Sequence, residues 1–324
     1  MLLATLVLGL AQGVALIAVA PALVGLLRWL EARLQRRQGP PVLQPYRDLA
    51  KLLARPAVRP AKASRVFALT PYVLFAAYGT LAFMLPVFSQ HTLLRGDLIL
   101  ILYLLGLARF MLSLAGLDVG AGFGGLGASR EMFLHFLTEI GLALLVVALA
   151  IRWGTTDLAI VFSKHWGLGP LTLFAEPELV LLGMAMFLMI LFEAERIPID
   201  NPATHLELTM SQRAITLEFA GRDLALVEWA EAIKLAALLT IAGQLFVPLP
   251  YFLNPSNGGV TTPPVAVIGY ALRIGALILV IAISEACQPK RRLRSVPRLA
   301  LTAIVLSAMT ILYALLVNQG SAIP

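Results

Sequence analysis

Long runs of apolar residues, separated by shorter polar segments, dominate the chain. A helix that crosses a bilayer needs about 20 mostly apolar residues, and eight stretches of the sequence are long enough. They are 2–27, 66–88, 97–117, 131–151, 178–194, 224–247, 265–286 and 298–317. The pattern predicts an all-α polytopic membrane protein with about eight transmembrane helices, forming a single membrane domain over residues 1–324.

The Lys and Arg residues predict how these helices are oriented, because short cytoplasmic loops of membrane proteins carry an excess of both. Four alternate segments together hold 19 of the 25 basic residues: 28–65, 118–130, 195–223 and 287–298. We expect these segments to be the main cytoplasmic loops and to form a docking face for soluble partner proteins. Both chain termini then lie on the outer side of the membrane.

Composition supports the membrane assignment and narrows the chemistry. The chain has 59% hydrophobic and 13% charged residues, whereas soluble domains carry about 25% charged residues. The net charge of +7 is explained by the orientation signal, so nucleic-acid binding is not expected. A single cysteine, Cys287, cannot form a disulfide framework or a cysteine-ligated cluster within this chain, and the four histidines lack metal-ligand spacing. We therefore expect no catalytic residue, no metal site and no cofactor in this chain.

Ionisable residues inside the predicted helices are the strongest candidates for function. A charge at the centre of a transmembrane helix costs about 2.5–3.5 kcal/mol on insertion scales, so retained charges mark candidate functional groups. Glu131 and Glu139 are eight residues apart and are expected on nearly one helix face. The full set of candidates is Arg109, Glu131, Glu139, Glu193, Glu228, Glu231, Lys234, Arg273 and Glu285.

Two interpretations of these charges stay open at this stage. The charges can be ion pairs that hold the helices in register, or they can form a proton path. Five acidic residues within or ending the predicted helices (Glu139, Glu193, Glu228, Glu231 and Glu285) face only three basic residues. Because burial favours the protonated form of a carboxyl group, the surplus carboxylates favour the proton path.

Two of the predicted cytoplasmic loops carry specific sequence motifs. The first contains Arg36-Arg37-Gln38-Gly39-Pro40 and then Leu43-Gln44-Pro45-Tyr46-Arg47-Asp48. The second contains Glu193-Ala194-Glu195-Arg196-Ile197-Pro198-Ile199-Asp200, then Glu207, then Glu218-Phe219-Ala220-Gly221-Arg222. With these motifs the chain resembles, over nearly its whole length, the family of the H subunit of respiratory complex I, known as subunit 1 in mitochondria. The Arg36–Asp48 motif and Gly127-Ala128-Ser129-Arg130-Glu131 are similar to the branch found in group 4 membrane-bound [NiFe] hydrogenases, of the formate hydrogenlyase and hydrogenase-4 type.

The resemblance implies a membrane-anchoring and energy-coupling subunit in the inner membrane of a prokaryote. Such subunits link electron transfer in a hydrophilic arm to proton or sodium translocation, and their partners carry the [NiFe] site and the iron–sulfur clusters. The implied partners are hydrogenase large and small subunits, an iron–sulfur subunit and antiporter-like membrane subunits. The residues that the resemblance places at the coupling loops and partner contacts are Arg36, Arg37, Tyr46, Arg47, Asp48, Arg196, Pro198, Asp200, Glu207, Glu218 and Arg222.

The second loop also departs from the pattern of complex I. Asn201-Pro202-Ala203-Thr204-His205 replaces an acidic stretch of that family, which weakens the expectation of quinone binding. Two alternatives remain: a quinone-reactive subunit of a complex I-like dehydrogenase, and a stand-alone ion-coupled secondary transporter. Genes for redox subunits beside this one would distinguish the transporter from the other two.

Overall fold

The computed structural model of the protein describes residues 2–89, 92–166, 176–194, 212–246, 263–287 and 296–320. In these ranges the chain is almost entirely helical. The helices are α1 (Leu2–Leu34), α2 (Gln44–Leu53), α3 (Arg65–Met84), α4 (Leu98–Asp118), α5 (Gly122–Trp153), α6 (Leu158–Trp166), α7 (Pro177–Glu193), α8 (Gln212–Thr216), α9 (Gly221–Phe246), α10 (Pro263–Cys287) and α11 (Val296–Gly320).

The eight longest helices of the described residues coincide with the eight apolar stretches, which confirms the all-α membrane fold. Six of them are long and apolar enough to cross a membrane: α1, α3, α4, α5, α10 and α11. The other two differ for physical reasons. Helix α7 has 17 residues, and α9 carries charged residues along its first half.

Several helix boundaries differ from those predicted. Helix α1 continues to Leu34, and α2 occupies part of the segment predicted to be a 28–65 loop. Helix α5 begins at Gly122, nine residues before the expected start, so Arg130 and Glu131 lie within a helix. The Gly-rich sequence there has low intrinsic helix propensity, but packing of Gly124, Gly127 and Ala128 in the protein interior compensates.

Pro21 sits inside α1 and determines how that helix meets its neighbours. A proline has no N–H, so the carbonyl four residues earlier loses its helical partner. That carbonyl, Ile17 O, accepts a hydrogen bond of 3.0 Å from Trp229 Nε1 of α9. The next carbonyl, Ala18 O, accepts one from the Tyr46 hydroxyl of α2 at 2.5 Å. The proline therefore frees the carbonyl that links α1 to α9, and the adjacent carbonyl links α1 to α2.

Helix α9 is the central helix of the described bundle. From Ala230 to Leu245 almost every residue is buried, and the helix packs against α1, α2, α3, α7 and α10. Charges on such a helix are shielded from lipid on all sides and must meet polar groups of the same protein. Glu231 and Lys234 lie in this part of α9 and are therefore candidate functional residues.

Two aspartates cap two helices at the predicted outer face. The Asp97 carboxylate accepts from the N–H of Ile99 and of Leu100 at the start of α4, and Asp157 does the same for Ala159 and Ile160 of α6. Asp97 and Asp157 also form an isolated antiparallel bridge. Carboxylates satisfy the free N–H groups of a helix N-terminus and interact favourably with its dipole. The short helix α6 is thereby fixed beside α4.

Candidate functional site

The buried ion pair between Arg109 of α4 and Glu193 of α7 is the centre of the candidate site. The Arg109 Nη1 and Glu193 Oε2 atoms are 3.2 Å apart, and the two side chains are 4% and 0% exposed. Neither Glu193 oxygen meets hydrogen-bond geometry with any atom of the described structure. The contact is therefore a buried charge pair in which the carboxylate retains capacity to accept hydrogen bonds.

Arg109 continues into a polar chain on α5. Its Nη1 atom donates a 3.1 Å hydrogen bond to Thr138 Oγ1 and lies 3.4 Å from His135 Nδ1. The other ring nitrogen, His135 Nε2, lies 2.6 Å from Glu131 Oε1. Because an arginine only donates, the geometry assigns Nδ1 as acceptor and Nε2–H as donor to Glu131. A continuous polar path thus runs from Glu193 through Arg109 and His135 to Glu131.

A second buried pair lies on the central helix. Lys234 Nζ is 2.5 Å from Glu231 Oε2, one turn apart, with the lysine side chain 2% exposed and the glutamate 22% exposed. The ammonium also lies 5.7 Å from the ring centre of Tyr78 in α3, within the range of a cation–π contact. The spacing of three residues in the sequence correctly predicts that Glu231 and Lys234 meet.

Tyr78 of α3 is a buried polar residue beside the pair on α9. It is fully buried and interacts electrostatically with Lys234, Glu231, Glu193 and Arg109. This phenol group, in an otherwise apolar stretch of α3, thus contacts the pair on α9 and lies within electrostatic range of the pair between α4 and α7. Such a hydroxyl can both donate and accept a hydrogen bond.

Glu139 occupies a different environment from Glu131. The sequence predicts the two on nearly one face of α5, but Glu131 is buried and the Glu139 side chain is exposed. That prediction is wrong, because eight residues at 100° each leave an offset of about 80° around the helix. Glu139 lies beside Gly106 of α4, where an added Cβ would come within 3.1 Å of its Oε1 atom. A charged carboxylate that is exposed at the surface of the helix bundle, midway along a membrane helix, is energetically costly in lipid.

The remaining charged candidates make other contacts in the part of the chain that the structure describes. Arg273 of α10 donates a 2.8 Å hydrogen bond to Gln244 Oε1, and the Gln244 amide in turn donates to Pro86 O after the end of α3. These hydrogen bonds join α10 to α9 and α9 to the segment after α3, as expected if a buried charge holds the helices in register. Glu228 lies 3.9 Å from Arg213, and Glu285 is half-buried near the end of α10.

At the predicted cytoplasmic face, the segment after α2 packs closely against the start of α9. Arg59 Nε donates to Asp223 Oδ2 at 2.7 Å, and this contact raises the pKa of the Arg59 guanidinium. Arg222 Nε donates to Leu53 O. Gly221 adopts a positive φ of 57°, and an added Cβ there would meet Pro56 O at 2.1 Å. Only glycine fits this position without strain.

The structure places the predicted coupling-loop residues in three groups. The side chains of Arg36, Arg37, Arg47 and Arg222 are exposed. Three others are half-buried: Tyr46, Asp48, which accepts from Gln44 Nε2, and Glu218, which lies near Gly124. The predicted contacts Arg196, Pro198, Asp200 and Glu207 lie outside the described residues.

Sequence reasoning missed three members of the polar path: Tyr78, His135 and Thr138. A signal existed for His135, which stands four residues after Glu131 and therefore on the same helix face. Tyr78 carried a weaker signal as a polar aromatic in an apolar stretch. Thr138 carried none, because threonines within helices commonly bond only to their own backbone.

Comparison with known proteins shows which family this chain resembles. The model of the NADHdh family, described as NADH dehydrogenase, matches residues 6–317. Formate hydrogenlyase subunit 4 of Escherichia coli is 35% identical over 292 residues, which cover 89% of this chain and 92% of that protein. Hydrogenase-4 component C of Escherichia coli is 36% identical over 247 residues, 75% of each chain. The H subunit of the NADH-quinone oxidoreductase of Wolbachia pipientis wMel is 26% identical, covering 83% and 82%.

A solved structure shows the same fold. It belongs to the membrane-bound sulfane sulfur reductase, an archaeal respiratory membrane complex, with a TM-score of 0.80 and 19% sequence identity over 96% of this chain and 99% of that one. The match to the family model and the identity to the hydrogenlyase subunit confirm the resemblance found in the loop motifs. This chain belongs to the NADHdh family of membrane subunits.

Proposed function

We propose that this chain anchors and couples a group 4 [NiFe] hydrogenase complex in the inner membrane of a prokaryote. Its role is to link electron transfer in a hydrophilic arm to translocation of protons or sodium ions. The relatives named as formate hydrogenlyase and hydrogenase-4 subunits support this assignment. The observation that carries it is the buried polar path from Glu193 through Arg109 and His135 to Glu131.

The chemistry of the path suits proton movement more than packing alone. A buried ion pair contributes little net stability, because desolvation offsets its attraction. Here four polar residues on three helices form one chain, and both Glu193 oxygens retain capacity for hydrogen bonds. Tyr78 extends electrostatic contact to Glu231 and Lys234. In this proposal the carboxyl groups accept and release protons while Arg109 and Lys234 hold them in place.

Glu139 indicates where the path leaves the chain. Its carboxylate is exposed midway along α5, where lipid solvates a charge poorly. We assign this face of α4 and α5 to contact with a helix of an antiporter-like membrane subunit. The hydrogenase large and small subunits and an iron–sulfur subunit are proposed to dock on the cytoplasmic surface, which presents Arg36, Arg37 and Arg47. The [NiFe] and iron–sulfur centres belong to those partners.

A second candidate is a quinone-reactive subunit of a complex I-like dehydrogenase. Relatives named as H subunits of NADH-quinone oxidoreductases favour it, at 24–30% identity. The change at Asn201–His205 and the higher identity to the hydrogenase-type subunits favour the first candidate.

Purification of the intact complex distinguishes the two. We expect an affinity tag on this chain to recover subunits that contain nickel and that evolve or oxidise hydrogen without added quinone. Recovery of a nickel-free complex that reduces quinone would replace the first candidate with the second. Recovery of the chain without redox subunits would support the stand-alone transporter.

A further inference from the structure

At the predicted outer end of the bundle, five buried polar atoms meet the geometry of a hydrogen bond with no atom of the described residues. They are Arg152 Nε, Trp153 Nε1, His165 Nδ1, His165 Nε2 and Glu178 Oε1. The residues come from the end of α5, from α6 and from the start of α7. Buried polar groups in native proteins are nearly always satisfied by protein atoms or by ordered water. Several such atoms in one place therefore indicate an occupant.

Contacts among these side chains show that they share one region. The rings of Trp153 and His165 meet edge to face with centroids 5.7 Å apart. The Arg152 guanidinium carbon lies 5.3 Å from the Trp153 ring centre, and Arg152 Nε is 3.7 Å from Glu178 Oε2. Lys164 Nζ donates to Trp153 O at 2.8 Å and fixes α6 against the end of α5. His165 and Glu178 are 4% and 5% exposed.

The hydrogen-bond donors and acceptors among these atoms indicate which kind of molecule can occupy the site. Two are obligatory donors, the Trp153 and Arg152 N–H groups; Glu178 Oε1 accepts, and a neutral histidine offers one donor and one acceptor. An anion would be repelled by Glu178 and by Glu176, which pairs with Arg152. A metal cation would find N–H groups directed at it. Water both donates and accepts, and it satisfies buried polar groups of this mixed kind.

We propose that Arg152, Trp153, His165 and Glu178 enclose a bound water cluster at the outer end of the bundle. The cluster keeps Glu178 hydrated within an otherwise apolar wall, so this carboxyl group can exchange protons with the outer side. Helix α7 then carries one buried glutamate at each end, Glu193 toward the cytoplasm and Glu178 toward the outside. Their separation of 15 residues corresponds to about 22 Å along the helix. The exchange role rests on the proposed function, whereas the water cluster does not.

Electron microscopy of the intact complex, at a resolution that shows water, tests the cluster directly. We expect water density within hydrogen-bond distance of Trp153 Nε1, of His165 and of Glu178 Oε1. In the variant Trp153→Phe the aromatic packing remains and the water at the former indole nitrogen is lost. An empty region, or one filled by side chains from elsewhere in the complex, would overturn the proposal.

The exchange role has its own test in vesicles that contain the complex. Glu178→Gln should lower the number of protons moved per turnover, while Glu178→Asp retains part of it. The control Ser163→Ala, at an exposed position of α6 whose hydroxyl donates to Ile160 O of the same helix, should leave the ratio unchanged. A wild-type complex that moves neither protons nor sodium ions would refute the proposed function and leave the water cluster standing. A wild type that moves sodium ions alone would refute the exchange role and leave the proposed function standing. A pumping wild type with an equally active Glu178→Gln variant would refute the exchange role alone.

Discussion

The Arg109 guanidinium and the Glu193 carboxylate meet 3.2 Å apart in the interior of the protein, although they are 84 positions apart in the sequence. Arg109 lies midway along α4 and Glu193 is the last residue of α7. Their contact joins two membrane helices and continues through His135 to Glu131 on a third. A single arginine thereby organises the carboxyl groups of the candidate proton path.

Removing one member of this pair should destabilise the chain more than removing both. Arg109→Met and Glu193→Gln each leave a buried group without its partner, and breaking a buried ion pair costs about 3–5 kcal/mol. The double variant leaves no uncompensated charge from the pair, so we expect it to be less destabilised than the sum of the single variants. Thermal unfolding of the purified complex, followed by size-exclusion chromatography after heating, measures the three variants. Additive effects would show that Arg109 and Glu193 are not coupled.

The junction at Gly221 should be intolerant of a side chain. Gly221→Ala places a Cβ 2.1 Å from Pro56 O at a positive φ, and the backbone strain alone costs about 1–2 kcal/mol. A matched control is Gly125→Ala in α5, where no atom lies within 4 Å of the added Cβ. Alanine should stabilise that helical position by about 0.5–1 kcal/mol. The unfolding temperature should therefore fall in the first variant and not in the second; equal effects would contradict the described junction.

Asp223 should hold the segment after α2 against α9. Its carboxylate is buried and accepts from Arg59 Nε at 2.7 Å, and a charge-assisted bond of this kind contributes about 1.5–3 kcal/mol. Asp223→Asn should therefore expose the 54–64 segment to limited proteolysis from the cytoplasmic side. Asp48→Asn removes a charge from the neighbouring helix α2 and should leave cleavage unchanged. Protection of the segment in Asp223→Asn would contradict this role.

His165 should make the stability of the outer end depend on pH. Burial lowers the pKa of its imidazole from 6.5 to about 4; the backbone of Leu245 acts in the opposite direction, and the positive charge of Arg152 acts in the same direction as burial. A few confined waters satisfy hydrogen bonds without restoring bulk solvation, so this direction also holds for the hydrated cluster. Because the pKa is depressed in the folded protein, the stabilising effect is present above pH 6.5 and is lost as the pH falls toward 4.

The size of this effect follows from the same two values. Between pH 7.5 and pH 5.5 the wild type should lose about 1 kcal/mol through His165. The variant His165→Gln cannot protonate and should lose correspondingly less over the same interval. Thermal unfolding of both proteins at the two pH values provides the comparison, and an identical pH dependence in both would show that His165 does not titrate as described.

The sequence was sufficient to predict which segments form helices, but it was not sufficient to predict which side chains of different helices meet. Eight apolar stretches predict the eight long helices because lipid requires each spanning segment to be apolar along its length. The start of α5 was missed, because glycines at 122–127 are typical of loops until their packing is known. The meeting of Glu231 with Lys234 was predictable from local spacing. The meeting of Arg109 with Glu193 was not, because it depends on how α4 and α7 pack.

The proton path through the buried carboxyl groups is the central proposal, and proton movement per turnover in vesicles containing the purified complex tests it most directly. We predict that Glu139→Gln and Glu231→Gln lower this ratio while hydrogen turnover with a soluble electron carrier continues. The control Ser163→Ala, at an exposed position of α6, should change neither. Unchanged proton coupling in both variants would contradict the account and leave the buried charges with a packing role only.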